Sequence, residues 1–261
     1  MQVGKTRRCK NGYKSNLSLG TLILVLCSFS ISGQYAKSSW SFLVRTELNY
    51  GANIYRSSEF PEFAESFSEY YDGGFAWGAG LEAQYAVKPQ WLLGIGLRYQ
   101  NRSEFGNLEN YIFPQQIDPY YGFVSGQSSD PSIIRARKSE QRDHYLEIPV
   151  RAQYVFDARS SDWYAAAGLK PALLISRSNH LYSEGAWFPA ESSWNKPPDP
   201  IFQLFAQSSF GYRWLWGHEL KQILELGLSL QTAVIPYDAF ASFKVYSWSL
   251  GLELSYGFGG P

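Results

Sequence analysis

Cysteine is nearly absent from this chain. The 261 residues hold two, Cys9 and Cys27. Beyond position 27 no disulfide framework, cysteine zinc site or thiol nucleophile can be built. Histidine is almost as scarce: His144, His180 and His218, with no pair at metal-ligand spacing. There is no G-x-S-x-G elbow and no phosphate-binding P-loop. Neither sign of charge is in excess, with 23 Lys+Arg against 23 Asp+Glu. That is no polyanion-binding signature, so no nucleic acid partner is expected. The one basic run, Arg135, Arg137, Lys138 and Arg142, is interrupted by Glu140 and reads as a solvated loop face. Continuous apolar stretches are short as well. Leu17–Cys27 falls well under the roughly 20 residues that a transmembrane helix needs.

That stretch has a different reading. Residues 1–16 carry Lys5, Arg7, Arg8, Lys10 and Lys14 and no acid. The apolar core LSLGTLILVLC follows, then the small residues Ser28, Ser30, Ser32, Gly33 and Ala36. A positive n-region, a short h-region and a small-residue c-region predict a secretory signal peptide over residues 1–33, cleaved after Gly33 or Ala36. A lipoprotein signal ending at Cys27 is disfavoured, because Leu26 stands where a small residue belongs. Cleavage removes both cysteines and five of the 23 Lys+Arg. The remaining 18 against 23 Asp+Glu put the mature chain near −5. Residues 34–261 are then one domain, about 225 residues long.

What fills that domain is alternation. In Tyr145–Phe156, YLEIPVRAQYVF, every second residue from Leu146 is apolar, while the opposite face carries Glu147, Arg151 and Gln153. Strict period 2 over a dozen residues predicts a β-strand. It exceeds the usual five or six residues of a soluble strand and matches the roughly 9–11 of a strand tilted across a bilayer. The same alternation predicts strands over Phe42–Ile54, Phe75–Val87, Trp91–Tyr99, Trp163–Ile175, Phe202–Trp214, Leu224–Gln231 and Tyr246–Phe258. Eight is an even number, as bacterial outer membrane barrels require. Connections after the first, third and fifth strands are long, and those after the second, fourth and sixth are short. That is the pattern of extracellular loops and periplasmic turns. A soluble barrel would alternate equally but point its apolar face inward.

Two features choose between the faces. Aromatic residues gather at the strand ends: Trp77, Trp91, Tyr99, Tyr154, Phe156, Trp163, Tyr212, Trp214, Tyr256 and Phe258. Such girdles mark the two interfaces of a membrane span. The polar face carries Arg45, Glu47, Glu82, Arg98, Glu147, Arg151, Arg213, Glu225 and Glu253, interleaved with glycines. In lipid these charges are too costly, so they are expected to face the lumen, pair across strands and fill it. The expected fold is all-β: a transmembrane antiparallel up-and-down barrel of eight strands behind a cleaved signal peptide.

The YLEIP strand, Trp77–Tyr85 read as WGAGLEAQY and the terminal LGLELSYGF at Leu250–Phe258 resemble the PorT-like outer membrane β-barrel proteins of Bacteroidetes. The resemblance covers essentially the whole mature chain. It departs from the common pattern at the end, where Gly259-Gly260-Pro261 follows the aromatic Phe258. It implies an integral outer membrane barrel without assigning one activity; one branch of that family is associated with type IX secretion.

Function is expected to be structural or accessory, with no cofactor and no metal. A serine hydrolase needs a His in reach of a Ser and an acid that orients it. His180, Ser183 and Glu184 lie close in sequence, but in a predicted loop. In lipid A deacylases the His and Ser sit two apart on one strand face, not three. A lipid A-modifying enzyme, or a narrow channel, is the alternative. Exposed aromatics in the long loops point instead to partner contacts. They are Phe60, Phe63 and Phe67, at helical spacing among Glu59–Asp72, then Tyr120 and Tyr121, then Trp187. The expected partners are outer membrane lipids, lipopolysaccharide and other outer membrane or secretion-machinery proteins.

Overall fold

The computed structural model describes residues 40–59, 61–107, 116–118, 122–124, 134–157, 161–183, 185–189, 202–217, 221–240 and 243–259. The predicted signal peptide, Phe60, Tyr120, Tyr121, Glu184 and His218 lie outside them. In chain order the elements are β1 (Trp40–Ser57), α1 (Pro61–Tyr70), β2 (Tyr71–Asp72), β3 (Gly74–Lys88), β4 (Trp91–Asn107), β5 (Gln116–Asp118), β6 (Gly122–Val124) and β7 (Ile134–Arg135). They continue with β8 (Lys138–Glu147), β9 (Val150–Val155), β10 (Asp162–Ser183), β11 (Ala186–Pro189), β12 (Phe202–Trp216), β13 (Lys221–Ile235), β14 (Tyr237–Phe240) and β15 (Phe243–Gly259).

Eight staves close into a ring: β1, β3, β4, β8 with β9, β10, β12, β13 and β15. Every pairing is antiparallel, and β1 returns to β15 from Ser41↔Gly259 to Ser57↔Phe243. Closure satisfies each backbone N–H and C=O without an exposed edge, which a structure spanning lipid must achieve. β5, β6 and β7 form a separate small sheet.

The fourth stave differs from the continuous strand expected at Tyr145–Phe156. It breaks at Ile148-Pro149 into β8 and β9. Proline has no N–H to give to a ladder. The gap is bridged all the same: Ile148 N donates to Pro171 O and Gly96 N donates to Pro149 O, both at 2.9 Å. Three predicted loops are also shorter than expected. The stretch expected to be a loop up to Asp143 is strand from Lys138, so Lys138 and Arg142 of the basic run stand on β8. β10 runs 22 residues, through a bulge between Leu174 and Ser176, and pairs with β11 beyond it. The amphipathic segment among Glu59–Asp72 is the ten-residue helix α1, which buries Ala64 and is tied to β1 where Tyr55 N donates to Ser68 Oγ at 3.1 Å. Staves longer than a bilayer span are what carry this wall past the membrane.

The two faces are inverted relative to a soluble protein. Leu81, Leu228 and Leu252 are 63, 58 and 52 % exposed, while Glu225 and Glu253 are 0 % exposed. Aromatics ring the outer wall. Trp91 packs on Tyr154, and Trp163 on Tyr212, near the short turns. Tyr50 packs on Phe75, and Trp77 on Tyr99, near the long connections. Inside, an apolar cluster closes each end. Tyr145, Ala172, Leu174, Phe205, Ala233 and Val245 lie toward the long connections; Leu92, Val155, Tyr164 and Ala166 lie toward the short turns.

Candidate functional site

Between those apolar plugs lies a belt of charge fed by every stave. Five cations, Arg45, Arg98, Arg151, Lys170 and Arg213, meet five carboxylates, Glu47, Glu82, Glu147, Glu225 and Glu253, all buried. All nine residues expected in the lumen are therefore in it, and the register joins them as two knots. In the first, Arg45 contacts Glu82 at 2.8 Å, Glu225 at 3.0 Å and Glu253. Arg151 contacts the same three carboxylates from the other side, at 3.1, 3.4 and 2.9 Å. Arg213 adds a contact to Glu225 at 3.4 Å. In the second knot, Arg98 pairs with Glu47 and, at 2.8 Å, with Glu147. Lys170 reaches Glu147 at 3.3 Å, and Arg102 does so at 3.3 Å. Gln207 Nε2 bridges the knots, donating to Glu47 at 2.9 Å and to Glu253 at 3.2 Å.

Such a belt fits only because long side chains face glycines across the ladder. Arg45 stands opposite Gly80, Glu82 opposite Gly96, Arg151 opposite Gly94 and Gly168, and Glu253 opposite Gly227. At Gly94 an added Cβ would lie 2.6 Å from Glu82 Oε1 and 3.3 Å from Arg151 Cγ. That carboxylate is held by two arginines and has nowhere to yield. Gly94→Ala is therefore expected to cost about 1–3 kcal/mol, the usual range for overpacking, read from urea unfolding of the barrel in lipid vesicles. A loss below half of that range would mean that the belt is loosely packed.

A second cluster sits above the outer girdle, beyond the span. Asp143 accepts two bonds from Arg177, both 2.7 Å. Glu104 accepts from Asn53 at 2.9 Å and from the Tyr55 hydroxyl at 3.0 Å. Burial is the largest influence on the Glu104 carboxyl and pushes it up to about 7, against the two hydrogen bonds, which lower it.

Of the candidate hydrolase residues, His180 and Ser183 stand three apart on β10 and so leave the strand on opposite sides. Ser183 is buried on the inner face of β10. His180 is in register with Glu140, whose carboxylate is held by Arg142 at 2.7 and 2.8 Å. His144 lies at the outer rim, bonded through Nδ1 to Tyr99 Oη and to Asn101. Among the described residues no group of three His, Cys, Asp or Glu could hold a metal. Of the loop aromatics, Trp187 is 44 % exposed and packs on Tyr182. Phe63 and Phe67 lie on α1.

An inverted eight-stave ring with an ionic lumen and aromatic girdles is the architecture of an outer membrane barrel. The model of one family, the outer membrane protein beta-barrel domain, matches residues 33–260. This chain belongs to that family. This outer membrane barrel also resembles solved structures of others. Neisserial surface protein A is 12 % identical, over 81 % of this chain and 95 % of that one, with a TM-score of 0.35. OprG from Pseudomonas aeruginosa is 10 % identical, over 86 and 98 %, with a TM-score of 0.37. Ail, the attachment invasion locus protein of Yersinia pestis, is 8 % identical, over 82 and 98 %, with a TM-score of 0.26. No curated protein matches the chain.

In this outer membrane barrel the sequence reading missed some of the site. Lys170 stands on the predicted polar face but outside the predicted network, although period 2 alone places it there. Gln153 and Gln207 also stand on the polar face but outside the predicted charge network, yet Gln153 donates to Glu225 at 2.8 Å and Gln207 links the knots. Glu104, Asp143 and Arg177 fall in predicted loops, where nothing in the spacing signals that they meet.

Proposed function

We propose that this outer membrane barrel is an accessory protein of the PorT-like kind, which binds partner proteins of an outer membrane assembly or secretion complex rather than conducting or catalysing. The observation that carries the reading is the lumen. Its charge belt is paired and lies between two apolar clusters, so protein fills the lumen across the span and the wall and loops remain for contact. Eight staves leave little more room than side chains occupy. Outside, the extended staves hold the β10–β11 hairpin past the girdle, with Trp187 exposed at its tip. An exposed aromatic of this kind at a protruding end favours a protein contact.

Capture of the tagged barrel from native outer membranes in mild detergent is expected to return one companion in stoichiometric amount. Trp187→Ala is expected to weaken that capture by about 1–3 kcal/mol while the barrel stays folded. Recovery of the barrel alone at native abundance would contradict the reading.

A further inference from the structure

Every buried carboxylate described in this protein has a cation, with one exception. Glu47, Glu82, Glu147, Glu225 and Glu253 are paired in the belt, Asp143 with Arg177 and Glu140 with Arg142. Glu104 is 6 % exposed. Its Oε2 takes two hydrogen bonds from neutral donors, Asn53 and Tyr55. Its Oε1 has no partner. Arg177 acts on Glu104 only from beyond ion-pair distance and is itself bound to Asp143; a buried carboxylate without a close cation is costly, and proteins relieve it with a cation or a proton.

Beside Glu104, at the extracellular end of the lumen, lies a cavity of about 50 Å³. Asn53, Gln141 and Ser247 line it with polar side chains, and Ser103, whose side chain leaves β4 on the other face, borders it too. Asp143 lines it too, with both oxygens bound by Arg177. Arg102 is the one cationic lining side chain. It is committed elsewhere: Nη2 donates to Gln100 Oε1 at 2.7 Å and to Glu147 at 3.3 Å, and the guanidinium lies 4.1 Å over the Phe205 ring.

We propose that Glu104 anchors a divalent-cation site in the extracellular mouth of the barrel, with neutral oxygens of Ser103 and Gln141 and with water completing the shell. Hard divalent ions take oxygen ligands of this mixed kind, and Mg²⁺ in particular keeps several waters beside one or two carboxylates. A cavity of this size admits an ion with a water or two, given the roughly 30 Å³ share of a water molecule. With one carboxylate the affinity is modest, on the order of 10⁻⁴–10⁻³ M, the range of extracellular Ca²⁺ modules. Occupancy reaches the loops. Tyr55 links Glu104 to Ser68, and Ser68 lies on α1.

The test uses the full barrel folded in a nonionic detergent, stripped with chelator and held at about pH 8, where the carboxyl is mainly ionised. Ca²⁺ and Mg²⁺ are titrated separately while the melting temperature is followed. At least one is expected to raise it, saturating at about 10 mM, given the affinity range above. Glu104→Gln keeps the shape and removes the charge, and it is expected to abolish the shift. Tb³⁺, excited through Trp248 at the cavity wall, gives a second readout that needs no variant. Its emission should fall as millimolar Ca²⁺ is added. A barrel whose melting responds to neither ion overturns the proposal, as does a Glu104→Gln barrel that keeps the full shift. So does sensitised Tb³⁺ emission that Ca²⁺ does not displace, should the variant fail to fold. Melting that follows pH through neutrality but ignores both ions would assign Glu104 a proton, and would overturn the proposal equally.

Discussion

Replacing Arg45 with methionine is expected to lower the unfolding free energy of the barrel by about 3–5 kcal/mol, the cost of removing one partner from a buried ionic group. Three carboxylates converge on Arg45, namely Glu82, Glu225 and Glu253. Arg151 touches the same three and cannot neutralise them alone. Loss of Arg45 therefore leaves excess negative charge in a space closed by apolar clusters above and below. Methionine fills similar volume, so the loss reports charge rather than a cavity. The double variant Arg45→Met with Glu253→Gln removes one charge of each sign and is expected to recover part of the loss, the signature of coupling between the two sites. Urea unfolding in lipid vesicles, followed by tryptophan fluorescence, measures both. A single variant within 1 kcal/mol of the parent would show that water, not protein, compensates these charges.

The second large effect lies on the opposite face. Leu252 is 52 % exposed, sits midway along β15 and is in register with Leu48 on β1 and Leu228 on β13. All three are turned outward, so the neighbourhood of Leu252 is hydrocarbon. Leu252→Arg is expected to cost about 2–4 kcal/mol, the penalty for a cation at the bilayer midplane of such barrels. Phe258→Arg, six residues along the same outward row at the rim, is expected to cost about 0–1 kcal/mol, because the side chain reaches headgroups and water. The depth dependence is the discriminating result. Equal costs at the two positions would mean that the outer wall is not in lipid.

Both experiments probe a division that local sequence already carried. Period 2 assigns each strand residue to one of two faces because successive side chains leave a strand on opposite sides. Charge on one face and leucine with aromatics on the other then decide which side meets lipid, since an ion in hydrocarbon is the costlier error. The eight staves, the short connections such as Pro89-Gln90 and the nine lumen charges follow from that reasoning. The fourth stave did not follow: alternation continues through Ile148-Pro149 while the hydrogen-bond ladder does not. A missing N–H leaves the period intact, so the pattern is blind to it. The upper parts of β8 and β10 escaped for a related reason. Arg142, Asp143, Arg177 and Ser178 are polar on both faces, because both faces there meet water or other polar groups, and no alternation of hydropathy survives.

The amino-acid sequence by itself determined that this chain forms an outer membrane barrel and which residues point inward, because those are consequences of neighbours one and two positions apart. The tertiary structure alone decided who meets whom. Arg45 finds Glu253 across 208 positions, Arg151 stands against Gly94 and Gly168, and Glu104 remains, among the described residues, the buried carboxylate without an ion pair. Closing the ring sets the register between staves distant in sequence. No local period encodes a stagger that only closure imposes.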